Sequence, residues 1–228
     1  MIDKFYTKFK DRKEALSRLF DIIPTKDMIK QNTILIALSQ GGLLLAYEMS
    51  NRLNIPLDFL FTEPILAPKN PECEVAIVSE SMDIVVNETL VDSFNITYDF
   101  IYGEAQRKYE EKVLPDIYKF RKGEIMSSLD KKNVLIIDEG IETGLTMQVA
   151  IKSCIKKNAN TIMIASPVVA DDIAEMLEEN TDMIYSLYRP KHFVNTKYYY
   201  EDLEDIDLSV FSNILDKALI QSKTNLRK

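Results

Sequence analysis

The sequence predicts an α/β fold, with a mostly parallel central sheet flanked by helices. Three observations predict it. Short apolar runs such as Asn32 to Leu38 (NTILIAL) and Val134 to Ile137 read as strands buried on both faces. Each run is followed by a small glycine-containing loop and then by an apolar pattern of helical period. Strand, loop, helix and strand then recur in order, as in a sheet built from crossover units. A length of 228 residues fits one domain, residues 1–228, with an N-terminal and a C-terminal helix as embellishments.

The elements follow in order. Lys8 to Ile22 reads as an amphipathic helix, with Leu16, Leu19, Phe20 and Ile23 on its apolar side. Ser39-Gln40-Gly41-Gly42 breaks the first strand before a helix over Leu43 to Leu53. Pro56 precedes a strand at Leu57 to Phe61. Ala67 to Pro71 is a turn-rich loop. Val75 to Val78 and Ile84 to Val86 form a hairpin about Glu80 to Asp83, expected to contribute, with the terminal segments, to a small hood. Asp92 to Lys122 is a long charged helix, with interruptions expected near Gly103 and Pro115. The sheet resumes at Asn133, and a helix covers Leu145 to Lys157. Thr161 to Ala165 and Met183 to Leu187 are strands on either side of a helix at Asp171 to Glu179, which Asp171 and Asp172 are expected to cap. Asp205 to Leu219 is the last helix, and the tail after Ser222 is expected to fray.

Composition narrows the function classes. Lys and Arg number 28 against 36 Asp and Glu, a formal net charge of −8. That balance argues against nucleic acid as a partner, which calls for a basic footprint. Cys73 and Cys154 are too few for a disulfide framework or a zinc cage, and are read as unreactive. No apolar run approaches the roughly 20 residues of a membrane span, and the charged start lacks a signal-peptide core. No membrane partner and a cytoplasmic location are therefore expected.

The stretch Asn133 to Met147, NVLIIDEGIETGLTM, carries the chemistry. An apolar strand ends in Asp138 and Glu139, then turns through Gly140, Thr143, Gly144 and Thr146 into a helix. A helix N-terminus offers unpaired N–H groups and the positive end of its dipole to a phosphate. Carboxylates accept hydrogen bonds from sugar hydroxyls. Four of the six glycines, Gly41, Gly42, Gly140 and Gly144, lie in two strand-to-helix loops, both expected at the carboxyl edge of the sheet, where open α/β folds bind ligands.

At these two loops the chain resembles a type I phosphoribosyltransferase, and most closely the bacterial predicted phosphoribosyltransferases of similar length. Ile136 to Thr146 matches the family's strand, acid pair and Thr/Gly loop. Further segments match in order: Asp11-Arg12-Lys13-Glu14-Ala15, Leu38 to Gly42, Leu66 to Glu72, and Ser166 to Ala170. The resemblance implies a ligand, phosphoribosyl pyrophosphate with Mg2+. It implies that Asp138 and Glu139 hold the ribose hydroxyls, partly through metal or water. Glu142, Thr143, Gly144, Leu145 and Thr146 would wrap the 5′-phosphate. Ser39, Gln40, Gly41 and Gly42 would face the pyrophosphate, with a cis peptide expected between Ser39 and Gln40. Glu142 stands where some family members place a proton-handling acid; a general base and a solvated loop acid are both open, the second preferred. Tyr188 or Phe193 is the candidate for stacking on a base. His192 is read as a surface or turn residue. Tyr198-Tyr199-Tyr200 is expected to pack beneath the last helix, with an interface as the alternative.

Two positions depart from the family pattern. Gln40 stands where the pyrophosphate loop usually carries Arg or Lys, and Glu63-Pro64 where a second basic pair is usual. Charge-assisted hydrogen bonds are roughly twice as strong as neutral ones, so the leaving-group side is weakened. Lys69 and Arg121 are candidate cations to close over the site in compensation. Two functions therefore stand. One is a transferase of phosphoribosyl to a nitrogen acceptor such as a nucleobase. The other is a catalytically reduced module binding a nucleotide or ribose phosphate for regulation. A homodimer is a further expectation from the family.

Overall fold

A computed structural model describes residues 8–225. The chain opens with α1 (Arg12–Ile22), capped by the Asp11 carboxylate on the Glu14 N–H, and a short α2 (Thr25–Lys30). Strand β1 (Thr33–Ala37) is buried along its whole length, and α3 (Gln40–Leu53) follows. Strand β2 (Leu57–Phe59) leads into β3 (Thr62–Ala67), β4 (Asn70–Ser79) and β5 (Ile84–Val86). Helices α4 (Glu88–Ser93), α5 (Tyr98–Lys108) and α6 (Leu114–Arg121) come next, the last two joined by a π turn at Tyr109–Val113. The second half is β6 (Asn133–Ile137), α7 (Leu145–Lys156), β7 (Thr161–Val168), α8 (Asp171–Glu178) and β8 (Met183–Tyr188). A 3-10 turn at Thr196–Tyr199 precedes α9 (Leu208–Asn225). The expectation for the tail falls beyond Asn225, outside the described residues, or inside α9.

The five-stranded sheet runs β2-β1-β6-β7-β8, parallel throughout. Successive side chains of a strand point to opposite faces. Leu35, Ala37, Leu135 and Ile137 thus meet α1, α3 and α9 on one side, through Leu16, Leu43, Met49, Phe211 and Leu215. Ile34, Ile36, Val134 and Ile136 meet α7 and α8 on the other, through Met147, Ala150, Ile151 and Leu177. Both faces being covered explains why these strands read as continuous apolar runs. The order also fixes the site. From β1 the chain crosses outward to β2; from β6 it crosses the opposite way to β7. The carboxyl ends of the neighbours β1 and β6 therefore open a crevice, the switch point at which open α/β sheets bind ligands.

A second, antiparallel sheet, β3-β4-β5, forms the hood. The sequence hides β3 because Pro64 lies inside it; β3 is an edge strand, where a missing N–H is tolerated. The hood is fastened to α7. Asp83 is buried, accepts from the Ser153 hydroxyl at 2.7 Å and pairs with Lys156, while Ile77 and Val85 pack on Leu145 and Val149.

Several boundaries differ from expectation, among them the start of β4, which lies at Asn70 inside the expected loop and not at Val75. Gly103 does not interrupt its helix: it lies on an exposed side where an added Cβ would meet nothing. The break falls instead at Phe94 to Thr97, where Asn95 takes φ 50° and Thr97 caps α5. Pro115 sits in the first turn of α6, its missing N–H accommodated by the π turn before it. Asp171 and Asp172 occupy the first turn of α8, and the N-cap is Ala170, so they favour the dipole without capping. Asp207, accepting from the Ser209 N–H at 2.7 Å, starts α9 three residues later than expected.

Arg121 is a core residue and not a closing cation. It is 3 % exposed, pairs with Glu80, lies 3.7 Å from the Asp58 carboxylate and stacks on Phe61. Burial pushes the Glu80 carboxyl up even though Arg121 pulls it down. Removing one partner of a buried pair leaves the others uncompensated. Arg121→Ala is expected to lower unfolding free energy by about 3–5 kcal/mol in urea titration. A loss no larger than the roughly 1 kcal/mol of an exposed pair would contradict this placement.

Candidate functional site

The site grows from the ends of β1 and β6. Ser39 has extended φ and ψ and caps α3, its hydroxyl accepting from the Gly42 N–H at 2.9 Å. Gln40, Gly41 and Gly42 are consequently the first turn of the helix and not a loop before it. The same hydroxyl donates to Asp138 Oδ1 across the switch point at 2.5 Å. All peptide bonds among the described residues are trans, so the cis bond expected between Ser39 and Gln40 is not found.

The acid pair diverges. Asp138 faces the crevice, where its Oδ1 also accepts from the Glu139 N–H at 2.8 Å. Its carboxyl is pushed up to about 6, chiefly by burial; the Ser39 hydroxyl and the Glu139 N–H pull it down, and the Glu139 charge pushes it up further. Glu139 turns the other way. Its Oε2 accepts from Arg12 Nε at 2.6 Å, and its carboxylate lies so close to Gly41 that a Cβ there would come within 1.9 Å of it. A larger residue there would have to push the movable end of the Glu139 side chain aside. Tyr200 fixes the Glu139 backbone through a 2.7 Å bond from its hydroxyl to the carbonyl oxygen.

Beyond the acids the loop is stitched to β7: the Ile141 N–H donates to Val168 O and the Ala170 N–H to Ile141 O. Gly144, at φ 73°, is the N-cap of α7, and no side chain caps that helix. Its first N–H groups are therefore directed at the crevice without a side-chain acceptor. A Cβ on Gly144 would strike Ile173 at 2.8 Å, so strain and crowding both require glycine.

These groups line a cavity of about 530 Å³. One wall is Asp138 with Gly140 to Met147, so that Glu142, Thr143, Gly144, Leu145 and Thr146 line the same cavity. The opposite wall comes from the hood: Glu72, Cys73, Glu74, Asn87 and Leu90, with Thr196 at the rim. Among the described residues, four carboxylates and no basic side chain line it. Burial pushes the Glu74 carboxyl up, and the Glu142 charge adds to the effect.

Other expected residues lie elsewhere. Ser39, Gln40, Gly41, Gly42 and Glu139 do not line this cavity. Lys69 sits at the β3–β4 turn beside a separate hollow with Phe94 and Phe100. Glu63 is neutralised by Lys108 at 3.0 Å. Tyr188 and Phe193 each pack a ring against Tyr199, and neither lines the cavity. Tyr199 and Tyr200 are buried with Phe9 and Val168 at the edge of the sheet, away from α9. His192 is exposed, as read. Cys154 is buried, its thiol pushed up to about 12 by that burial, whereas Cys73 reaches the cavity wall. Sequence reasoning missed Glu74, Thr196 and the contact of Arg12; of these only Arg12 stood in a segment already singled out.

A model of the phosphoribosyl transferase domain matches residues 12–201. The chain belongs to this family. Two Mycobacterium tuberculosis proteins, from strains CDC 1551 and H37Rv and each provisionally named a phosphoribosyl transferase, are 26 % identical over 164 residues, 70 % of this chain. That alignment spans 36 % of their length, about a third. Among solved structures, a Thermus thermophilus protein superposes with a TM-score of 0.72 at 22 % identity, over 92 % of this chain and 99 % of its own. A purine phosphoribosyltransferase from Pyrococcus horikoshii aligns with a TM-score of 0.43 at 16 % identity, over 88 % of this chain and 99 % of its own. The fold has the parallel central sheet flanked by helices that the sequence predicts; the hood is β3-β4-β5 alone, and the terminal segments expected to join it pack as α1 and α9 on the central sheet. Among the described residues no helix is long and apolar enough to cross a membrane.

The raised Asp138 carboxyl has a consequence for stability. A carboxyl whose folded pKa exceeds its unfolded value of about 3.9 favours folding only while protonated. Its contribution is complete below that value and is lost as pH rises through about 6. Asp138→Asn keeps an acceptor for Ser39 but cannot ionise. Between pH 4 and 7, in metal-free buffer, the wild type is expected to lose about 1–2 kcal/mol relative to this variant. Parallel stability curves would contradict the assignment.

Proposed function

We propose that this chain binds phosphoribosyl pyrophosphate, or a nucleoside 5′-monophosphate, and transfers the phosphoribosyl group to a nitrogen acceptor such as a nucleobase. The observation that carries this reading is the meeting of Asp138 and the side-chain-uncapped first turn of α7 on one cavity at the switch point. The 5′-phosphate would take the N–H groups of Thr143 to Thr146, aided by the two threonine hydroxyls. The ribose hydroxyls would then fall to Asp138.

The cavity's charge bears on the metal. Four carboxylates and no cation repel a bare phosphate, whereas a hard divalent ion uses oxygen ligands. No cluster of three or more acidic, His or Cys ligands exists among the described residues. That suits Mg2+, which typically takes one or two carboxylates and completes its shell with water and substrate phosphates. Asp138 is the group that would hold it, and the ion would neutralise charge on the departing pyrophosphate. The protein's own part is to hold donor and acceptor in line and to place the Asp138 carboxylate beside a ring that gains positive charge as the anomeric bond breaks. Glu142 is exposed, faces Glu74 and fits either a proton acceptor or a solvated loop acid.

A second reading, a nucleotide-binding regulatory module without turnover, is favoured by one set of contacts: Gln40 is neutral and Glu63 is paired with Lys108. Calorimetric titration separates the two. Phosphoribosyl pyrophosphate and nucleoside monophosphates are each titrated with and without Mg2+, and pyrophosphate release is followed across a panel of bases. Transfer predicts Mg2+-dependent binding of the donor and release with at least one base. Binding of the monophosphate alone, with no release, selects the regulatory module. Thr146→Ala should weaken the 5′-phosphate ligands about tenfold, the worth of a lost charge-assisted hydrogen bond. Unaltered affinity in that variant would refute the site.

A further inference from the structure

The charges around the acid pair leave a gap. The cavity has no basic lining, Gln40 is neutral, Arg121 is buried against Asp58 and Glu80, and Lys69 lies at the hairpin turn. None of these positions brings a cation to the acid pair at the switch point. Arg12, the first residue of α1, does so from outside the two loops. Its Nε donates to Glu139 at 2.6 Å and its Nη1 to the Glu204 carbonyl oxygen at 2.9 Å. The carboxylate it holds lies directly against Gly41, in the first turn of α3.

We propose that Arg12 is the residue that recognises the diphosphate of the donor, and that Glu139 is the internal anion this diphosphate displaces. The inference rests on the phosphoribosyl-donor reading above. Glu139 already places two anionic oxygens between a guanidinium and the backbone of Gly41. A phosphoryl group offers the same oxygens with more charge, and the planar guanidinium fork donates to them in two parallel bonds. The exchange needs no opening of the core. The side chains of Arg12 and Glu139 are each 18 % exposed, and Arg12 also lines a second cavity of about 610 Å³ between α1 and α3. That cavity is not an anion site in its own right, since Asp11, Glu48, Asp202 and Glu204 line it beside Lys13 and Arg52. The selectivity comes from Arg12 itself, which stands apart from the α7 phosphate loop. Arg12 therefore separates ligands: it acts on those that carry a diphosphate at the anomeric side and is indifferent to a 5′-monophosphate.

The test uses the full chain and titrates inorganic pyrophosphate and ribose 5-phosphate separately, in EDTA and again with Mg2+. The variants are Arg12→Ala, Arg12→Lys and Glu139→Gln. Arg12→Ala should weaken pyrophosphate by about tenfold or more while leaving ribose 5-phosphate unchanged, and Arg12→Lys, with a charge but no fork, should fall between. Glu139→Gln removes the competing anion and leaves Arg12 in place, so in EDTA it should tighten pyrophosphate binding. That arm stands even if Arg12→Ala folds poorly. Equal weakening of both ligands in Arg12→Ala would show a structural role and overturn the proposal, as would unchanged or weaker pyrophosphate binding in Glu139→Gln. Wild-type binding of ribose 5-phosphate without pyrophosphate would sink the Arg12 proposal and spare the phosphate site. Failure of the wild type to bind either ligand would sink both.

Discussion

The hydrogen bond from Ser39 to Asp138 joins the two halves of the sheet at the point where the chain changes winding direction. One hydroxyl serves both sides: it caps α3 by accepting from Gly42 and fixes the first acid of the β6 loop by donating to it. With Asp138 held in the crevice, the next residue turns the other way, and Glu139 comes to rest on Gly41. Gly42 is pressed against backbone, since a Cβ there would lie 2.7 Å from the carbonyl oxygen of Ile137. Gly42 is thus required by contact with the backbone at the end of β6, whereas Gly41 meets only the movable end of the Glu139 side chain. The crevice exists because β1 and β6 are neighbours whose crossovers depart in opposite directions.

Charge distribution divides the site into two parts. On the α7 side, the protein supplies backbone N–H groups and hydroxyls within a ring of carboxylates. On the α3 side, a carboxylate and a guanidinium neutralise each other. Among the described residues neither part presents a free cation. A ligand must bring its own counter-ion, or displace an internal one. The raised Asp138 carboxyl belongs to the same picture: a group desolvated and crowded by its acidic neighbour reduces stability at neutral pH while serving the crevice.

The sequence made the sheet legible because both of its faces are covered, so that Ile34 to Ala37 and Val134 to Ile137 carry no polar interruption. The phosphate loop was legible because acids, threonines and glycines are packed into a dozen positions. What escaped depends on contacts distant in sequence. Pro64 masks an edge strand. Glu74 and Thr196 reach the cavity from elements whose local pattern says nothing of it. Arg121 looks like a free basic residue at the end of a helix, and only the fold brings Asp58 and Glu80 around it. Arg12 and Glu139 are separated by 127 positions, and no local pattern could pair them. The helical state of Gln40 to Gly42 was misread although Ser39 is a strong N-cap residue, because two glycines suggested a loop.

The central claim is that the β6–α7 loop cradles a sugar phosphate with its backbone. The most direct measurement is the amide chemical-shift change on adding ribose 5-phosphate to isotope-labelled protein. The account predicts that the largest changes fall on Thr143, Gly144, Leu145 and Thr146, with smaller ones at Asp138 and Glu139. Binding that shifts amides elsewhere and leaves those four unmoved would contradict it.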